Sequence, residues 1–184
     1  MTHHTEIINH IIEKKGYKSY LEIGTQSGNN FDAIKCEKKT GVDPDPEAKA
    51  THHLDSDTFF ESTGEKYDLI FIDGLHTAEQ VKKDFINAME HLTDDGVCIL
   101  HDTNPEKEEW TKVPRVSKQW TGDVYKFICN LGADFVSFPF DYGVTIVKKC
   151  DYFICEKEVT WEEFNEDRTA ALKITNKEKF DKWI

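Results

Sequence analysis

Tyr67-Asp68-Leu69-Ile70-Phe71-Ile72-Asp73-Gly74 is the stretch on which the fold turns. Its first six residues are apolar apart from Asp68, without the alternation of a strand that has one wet face. A short run of this kind, closed by the turn pair Asp73-Gly74, reads as a strand buried on both faces, as in parallel sheets. Towards the C-terminus, Ala78, Val81, Phe85, Ala88, Met89 and Leu92 recur at helical spacing. Asp94-Asp95-Gly96 then turns the chain into Val97-Cys98-Ile99-Leu100, a second buried strand ending in His101-Asp102. Strand, helix, strand is a parallel crossover.

The same pattern extends in both directions. Ile7, Ile8, Ile11 and Ile12 share a helical face and Gly16 follows as a stop, giving an N-terminal helix within residues 1–17. Ser19–Ile23 reads as a strand entering the turn Gly24-Thr25-Gln26-Ser27-Gly28, with a helix through Phe31, Ala33 and Ile34 after it. Thr40–Val42 is a short strand closed by Asp43-Pro44-Asp45-Pro46, whose prolines forbid a continuing central strand. Thr51–Leu54 is predicted as a third strand, before Ser56 caps a short helix through Phe59 and Phe60. Beyond His101, Asn104–Lys118 is a polar loop and Gly122–Leu131 a helix. Phe135–Phe138 and Val144–Val147 are strands joined through Asp141-Tyr142-Gly143, too short a connection for a parallel crossover and therefore antiparallel. Residues 160–184 form an amphipathic helical tail. The expectation is an α/β domain spanning residues 1–184, its sheet mostly parallel with a C-terminal antiparallel hairpin and helices on both faces.

The 184 residues fit one domain, and 38% hydrophobic with 12% aromatic content is enough for a packed core. The formal charge of −12 argues against nucleic acid or an anionic membrane as the main partner, since both call for a basic surface. No apolar run approaches the ~20 residues of a spanning helix, and no secretory signal is visible, so a soluble cytoplasmic protein is expected. The five cysteines (36, 98, 129, 150 and 155) are an odd set without a CxxC pair and read as reduced thiols. His3-His4 is too short for a tag and too local for a metal site.

In open α/β sheets ligands bind beyond the carboxyl ends of the strands. That rule selects Glu22 to Gly28, Asp43, Asp55 to Asp57, Asp73 to His76, and His101 to Asn104. The first turn departs from the dinucleotide fingerprint, because Gln26 stands where its second glycine belongs. Asp43 is placed to accept ribose hydroxyls, although a turn aspartate before proline is common. Ser56 and Asp57 could reach an adenine edge, or only cap a helix. Asp73 and Asp102 end two buried strands. With His101 and His76 they supply enough oxygen and nitrogen donors for a divalent ion.

At these residues the sequence resembles the class I S-adenosylmethionine-dependent methyltransferases, with their Rossmann-like sheet, and more narrowly the small family related to the macrocin and sugar O-methyltransferases. Leu21-Glu22-Ile23-Gly24-Thr25-Gln26-Ser27-Gly28 matches the ExGxxxG motif, and Gly41-Val42-Asp43-Pro44 the ribose-binding acid. Ser56-Asp57, Phe71-Ile72-Asp73-Gly74-Leu75-His76-Thr77, Leu100-His101-Asp102, the Trp120–Val124 segment and Asp141-Tyr142-Gly143 follow in family order. The resemblance implies S-adenosylmethionine held by Glu22, Gly24, Thr25, Gly28, Asp43, Ser56, Asp57 and Asp73. It implies transfer of the sulfonium methyl to a hydroxyl of a small acceptor, a sugar or another polar molecule. Asp73, His76, His101 and Asp102 are then the catalytic candidates, and Asp73, His101 and Asp102 the candidate metal ligands. One departure is that His101 stands where related metal sites carry an acid, which leaves histidine as a base without an ion. Two rival functions follow: a non-catalytic adenosyl-binding protein, and an NAD-dependent oxidoreductase, which Gln26 and the terminal hairpin disfavour.

Overall fold

A computed structural model describes residues 1–184. Its centre is a six-stranded sheet built from β1 (Ser19–Ile23), β2 (Lys38–Val42), β3 (Tyr67–Ile72), β4 (Leu92–His101), β6 (Phe135–Phe138) and β7 (Val144–Lys148). The spatial order is β2-β1-β3-β4-β7-β6. The first four strands run parallel to one another, and β7 pairs antiparallel with both β4 and β6. The expected hairpin is therefore present, and β7 inserts between β4 and β6. Two-residue strands β5 (Leu131–Gly132) and β8 (Phe153–Ile154) pair separately.

Both faces of the sheet are covered, which explains the unbroken apolar runs. Ile70, Ile72, Cys98 and Leu100 face a core with Phe85 and Met89 of α4 (Ala78–His91) and Phe127 of α5 (Val124–Asn130). Leu69, Phe71, Val97 and Ile99 face the opposite core. There they meet Ile7, Ile8, Ile11 and Ile12 of α1 (His4–Lys15) and Phe180 of α8 (Lys177–Trp183). Alternate side chains of one strand thus enter two different cores. Gly16 ends α1 at φ 68°, a left-handed turn that glycine adopts without a Cβ penalty.

Several expectations are corrected. Thr51–Leu54 is not a strand: only one bridge, Val42 to His52, runs beside β2, and the prolines at 44 and 46 keep the chain from rejoining the sheet. Asp55, not Ser56, caps α3 (Ser56–Ser62), accepting from the Thr58 N–H. Helix α2 stops at Ala33 (Asn29–Ala33), before Ile34 turns extended. Residues 94–96 lie within β4, where the pairing with β3 shifts register between Tyr67 and Leu69. The loop after β4 holds a 3₁₀ turn, Glu108–Thr111. The tail divides into α6 (Trp161–Glu166), α7 (Arg168–Ala171) and α8.

Candidate functional site

Sheet register aligns the polar strand ends. Ile23 lies opposite Val42 and Ile72, and Ile72 opposite Leu100. The next rung therefore carries Gly24, Asp43, Asp73 and His101. The chain leaves β1 for β2 on one side and returns to β3 on the other, so this rung sits at the switch point where an α/β sheet opens a crevice.

Three cavities meet there. The first, about 520 Å³, is lined by Gly24, Asp43, Leu54, Ser56, Asp57 and Leu75 among others. The second, about 330 Å³, lies against His76, His101, Asp102, Trp120 and Tyr142. The third, about 270 Å³, is bounded by His3, His4, Glu22, Thr25 and Asn30. Gln26 and Asp73 border all three.

In the first cavity, the Asp43 carboxylate accepts from the backbone N–H of Gln26 (2.8 Å) and of Asp45 (3.0 Å), which fixes its orientation and leaves further lone pairs for hydroxyl donors. Ser56 donates to Asp84 (2.5 Å), while Gln80 donates to Ser56 and Asp57. The two α3 residues are thus held by α4. Gly24 serves packing more than ligand access: at φ 88°, a Cβ would lie 2.1 Å from the Asp73 carbonyl oxygen. The glycine lets the β1 and β3 loops touch.

In the third cavity, Glu22 is 1% exposed and accepts from Tyr20 (2.5 Å) and Asn30 (2.9 Å). Burial lifts its carboxyl to about 7, against the partial offset of those two hydrogen bonds. The buried Thr25 hydroxyl has no hydrogen-bond partner. A buried polar atom without a protein partner beside a polar cavity calls for a water or a ligand group to satisfy it.

The second cavity holds the densest chemistry. His76 Nδ1 lies 3.0 Å from Asp102 Oδ2 and 3.2 Å from the Trp120 carbonyl, so the ring proton belongs on Nδ1. Its Nε2 then faces Asp73 Oδ1 at 3.4 Å. His101 Nδ1 is 3.1 Å from the same Asp73 oxygen. Burial disfavours the charged forms of all three groups. The ion pairs outweigh it, holding Asp73 well below the usual carboxylate range and raising both histidines above theirs. Asp102 is 5% exposed with φ 58°, a left-handed conformation rare for non-glycine residues and concentrated at functional sites. The ring of Trp120 stacks on His76 at 5.3 Å. Gly122 permits this, since a Cβ there would strike the His76 carbonyl at 1.5 Å.

The structure thus draws Asp73, His76, His101 and Asp102 into one cluster, with Asp43, Ser56 and Asp57 in the neighbouring cavity and Gly28 at the start of α2. His4 and Asp141 were given no site role by the sequence, and Gln26, inside the selected turn, was noted only as a departure from the dinucleotide fingerprint. His4 Nδ1 lies 2.7 Å from Asp141, 137 residues away, and no local motif announces that contact.

Residues 21–103 match the family described as a methyltransferase domain, a span from β1 to just past β4 that contains the aligned rung. No curated protein matches the sequence significantly. Among solved structures, the chain resembles an S-adenosylhomocysteine-bound methyltransferase of Podospora anserina (TM-score 0.60, 16% identity, 80% of this chain and 78% of that one). It also resembles an O-methyltransferase of Bacillus cereus in complex with S-adenosylhomocysteine (0.53, 14%, 79% and 80%). A third is the O-methyltransferase TomG of Streptomyces achromogenes in complex with S-adenosylmethionine (0.52, 12%, 79% and 78%). What is shared is the fold: a mostly parallel, Rossmann-like sheet with an antiparallel strand pair and helices around it, as in those methyltransferases.

Proposed function

We propose that this protein is an S-adenosylmethionine-dependent methyltransferase acting on a hydroxyl of a small polar acceptor. One observation carries the reading: the cavity beside Asp43 and the cavity beside His76 adjoin, with Gln26 and Asp73 in the walls of both. Cofactor and acceptor sites must touch for a direct transfer between them.

The cofactor fits the residues present. Asp43 offers oriented acceptors to the ribose, Leu54 and Leu75 an apolar wall to the adenine, and the unpartnered Thr25 hydroxyl and Glu22 a polar end for the amino-acid portion. When bound, it supplies an activated methyl group. The chain's part is positioning and proton removal. His76 takes the acceptor's proton at Nε2, while Asp102 and the Trp120 carbonyl fix the ring through Nδ1–H. Asp73 then accepts from the protonated Nε2. The acceptor cavity is mostly polar, with Trp120 and Tyr142 as flat faces, which suits a polyhydroxylated molecule such as a sugar.

Asp73, His101 and Asp102 carry donor atoms within 4.8 Å of one another, which supports a second reading in which they hold a divalent ion that acidifies the acceptor hydroxyl. Calorimetry tests the cofactor: S-adenosylhomocysteine is expected to bind and NADH is not. The reverse result returns the oxidoreductase reading. Acceptor-dependent release of S-adenosylhomocysteine across a panel of sugars and other hydroxyl compounds separates an enzyme from a binding protein.

A further inference from the structure

The N-terminus brings a second histidine cluster onto the outer side of His101. Asp141 Oδ2 is its hub: it receives the His4 backbone N–H at 2.8 Å and lies 2.7 Å from His4 Nδ1. It is also 3.8 Å from His3 Nε2 and 3.8 Å from His101 Nε2. The His101 ring is 8% exposed, and its Nε2 has no hydrogen-bond partner. Because Nδ1 is 3.1 Å from Asp73 Oδ1, the proton of a neutral ring belongs there. When that ring is neutral, Nε2 presents a lone pair toward the Asp141 carboxylate 3.8 Å away, a gap that either a second ring proton or a metal ion fills.

We propose that His3, His4, Asp141 and His101 Nε2 form a transition-metal site, with Zn²⁺ as the best-matched ion. Three imidazoles and one carboxylate oxygen suit a tetrahedral ion, and imidazole-rich sets favour zinc, cobalt, nickel or copper over magnesium. Donors at ~2.0–2.2 Å from a tetrahedral ion lie about 3.3 Å apart. His3, His4 and Asp141 carry donor atoms within 4.8 Å of one another; their 3.8 Å and 2.7 Å separations from Asp141 need to change by roughly half an ångström, and His101 Nε2, 3.8 Å from Asp141, has in addition to be drawn toward the His3 and His4 nitrogens. His101 is already oriented by a carboxylate on its other nitrogen, the usual support of a metal-bound imidazole. His3 Nδ1 accepts from the Thr5 backbone N–H at 3.3 Å as the cap of α1 and lies 3.0 Å from the Thr5 hydroxyl, so binding an ion at Nε2 requires the ring proton to move to Nδ1, where the Thr5 hydroxyl accepts it in place of the cap. The His3 side chain is half exposed, which provides an entry path.

The site differs from the Asp73, His101 and Asp102 set because it uses Nε2 of the His101 ring, whereas the inner set uses Nδ1. Its consequence is structural. His3, His4 and Thr5 wall the cavity that contains Glu22 and Thr25, so an ion here would pin the first turn of α1 over that cavity. The inference does not depend on methyl transfer.

The test is metal binding by the full chain, prepared without an affinity tag and stripped with chelator. Co²⁺ is expected to bind with one equivalent, giving the visible spectrum of a four-coordinate nitrogen and oxygen site without the thiolate charge-transfer band the free cysteines would produce. Zn²⁺ should displace it and slow hydrogen exchange in residues 1–6. His4→Ala and Asp141→Asn should each weaken binding by about tenfold or more. Asn tolerates the left-handed backbone of position 141 (φ 56°), so the second variant should keep its fold, verified by circular dichroism. His10→Asn, which alters an outlying histidine paired with Asp181, should bind as wild type. The proposal is overturned if wild type takes up no ion at this stoichiometry, or if His4→Ala and Asp141→Asn bind unchanged. It is also overturned if Asp102→Asn abolishes binding while Asp141→Asn does not, since the ion would then sit on the inner set.

Discussion

His76 is the residue whose surroundings define its task most closely. Burial disfavours its charged form, but the hydrogen bond to Asp73 and the charges of Asp102 and Asp73 dominate and lift its pKa above the ordinary 6.5. A base must be neutral to work, so kcat/KM is expected to rise with pH along a limb whose midpoint lies above 6.5. Asp102→Asn removes one raising charge and should move that midpoint down while lowering the rate through loss of ring orientation. An unmoved midpoint would exclude His76 as the titrating base. Asp43 gives a separate test. Removing its hydrogen bonds to ribose hydroxyls should cost ~1–3 kcal/mol. Asp43→Ala is then expected to bind S-adenosylhomocysteine roughly five- to hundredfold more weakly, by calorimetry on a folded variant. Unchanged affinity would remove Asp43 from the site.

At the scale of elements, the strand-end turns depend on backbones in close approach. A Cβ on Gly24 would lie 2.1 Å from the Asp73 carbonyl oxygen, and φ there is 88°. Gly24→Val is therefore expected to lower thermal stability as well as cofactor affinity, because the β1 and β3 loops must part. A variant with wild-type melting temperature and wild-type affinity would refute this contact. The sequence could show that a turn stood here, but the partner of Gly24 lies 49 residues on and is fixed by sheet register. The same distinction explains the rest of the fold. Buried strands β3 and β4 were legible because a parallel strand covered on both faces has nearly no polar positions. The stretch Thr51–Leu54 misled because its residues resemble a short strand, while the two prolines before it hold the chain off the sheet after a single bridge. Asp73, His101 and Asp102 were legible because each ends an apolar run. His4 and Asp141 were not, since their pairing depends on where α1 packs against the sheet.

The whole molecule responds to pH through groups buried near the site, and the signs are definite. Glu22 rises from 4.5 unfolded to about 7 folded, mainly through burial. Its contribution is complete below pH 4.5 and declines as pH climbs to about 7. His76 and His101 are raised above 6.5, against burial and through their carboxylate partners, so their contribution is lost as pH rises through their folded values. Asp73 and Asp141 are lowered from 3.8 by their histidines despite burial, and they cost stability only as pH falls below that value. All five place the optimum between about pH 4 and 5. Glu22 alone, at ~1.4 kcal/mol per unit, accounts for on the order of 3 kcal/mol between pH 5 and 8. That is roughly 5–10 °C for a chain of this size. The net charge of −12 adds repulsion in the same direction, but salt screens exposed charges far more than a buried carboxyl. Melting of the ligand-free protein in high salt should therefore remain several degrees higher at pH 5 than at pH 8, with Glu22→Gln flattening the part between pH 4.5 and 7. A melting temperature that rises from pH 5 to pH 8 under those conditions would show that Glu22 is ionised and well solvated in the folded state, contrary to its burial between Tyr20 and Asn30.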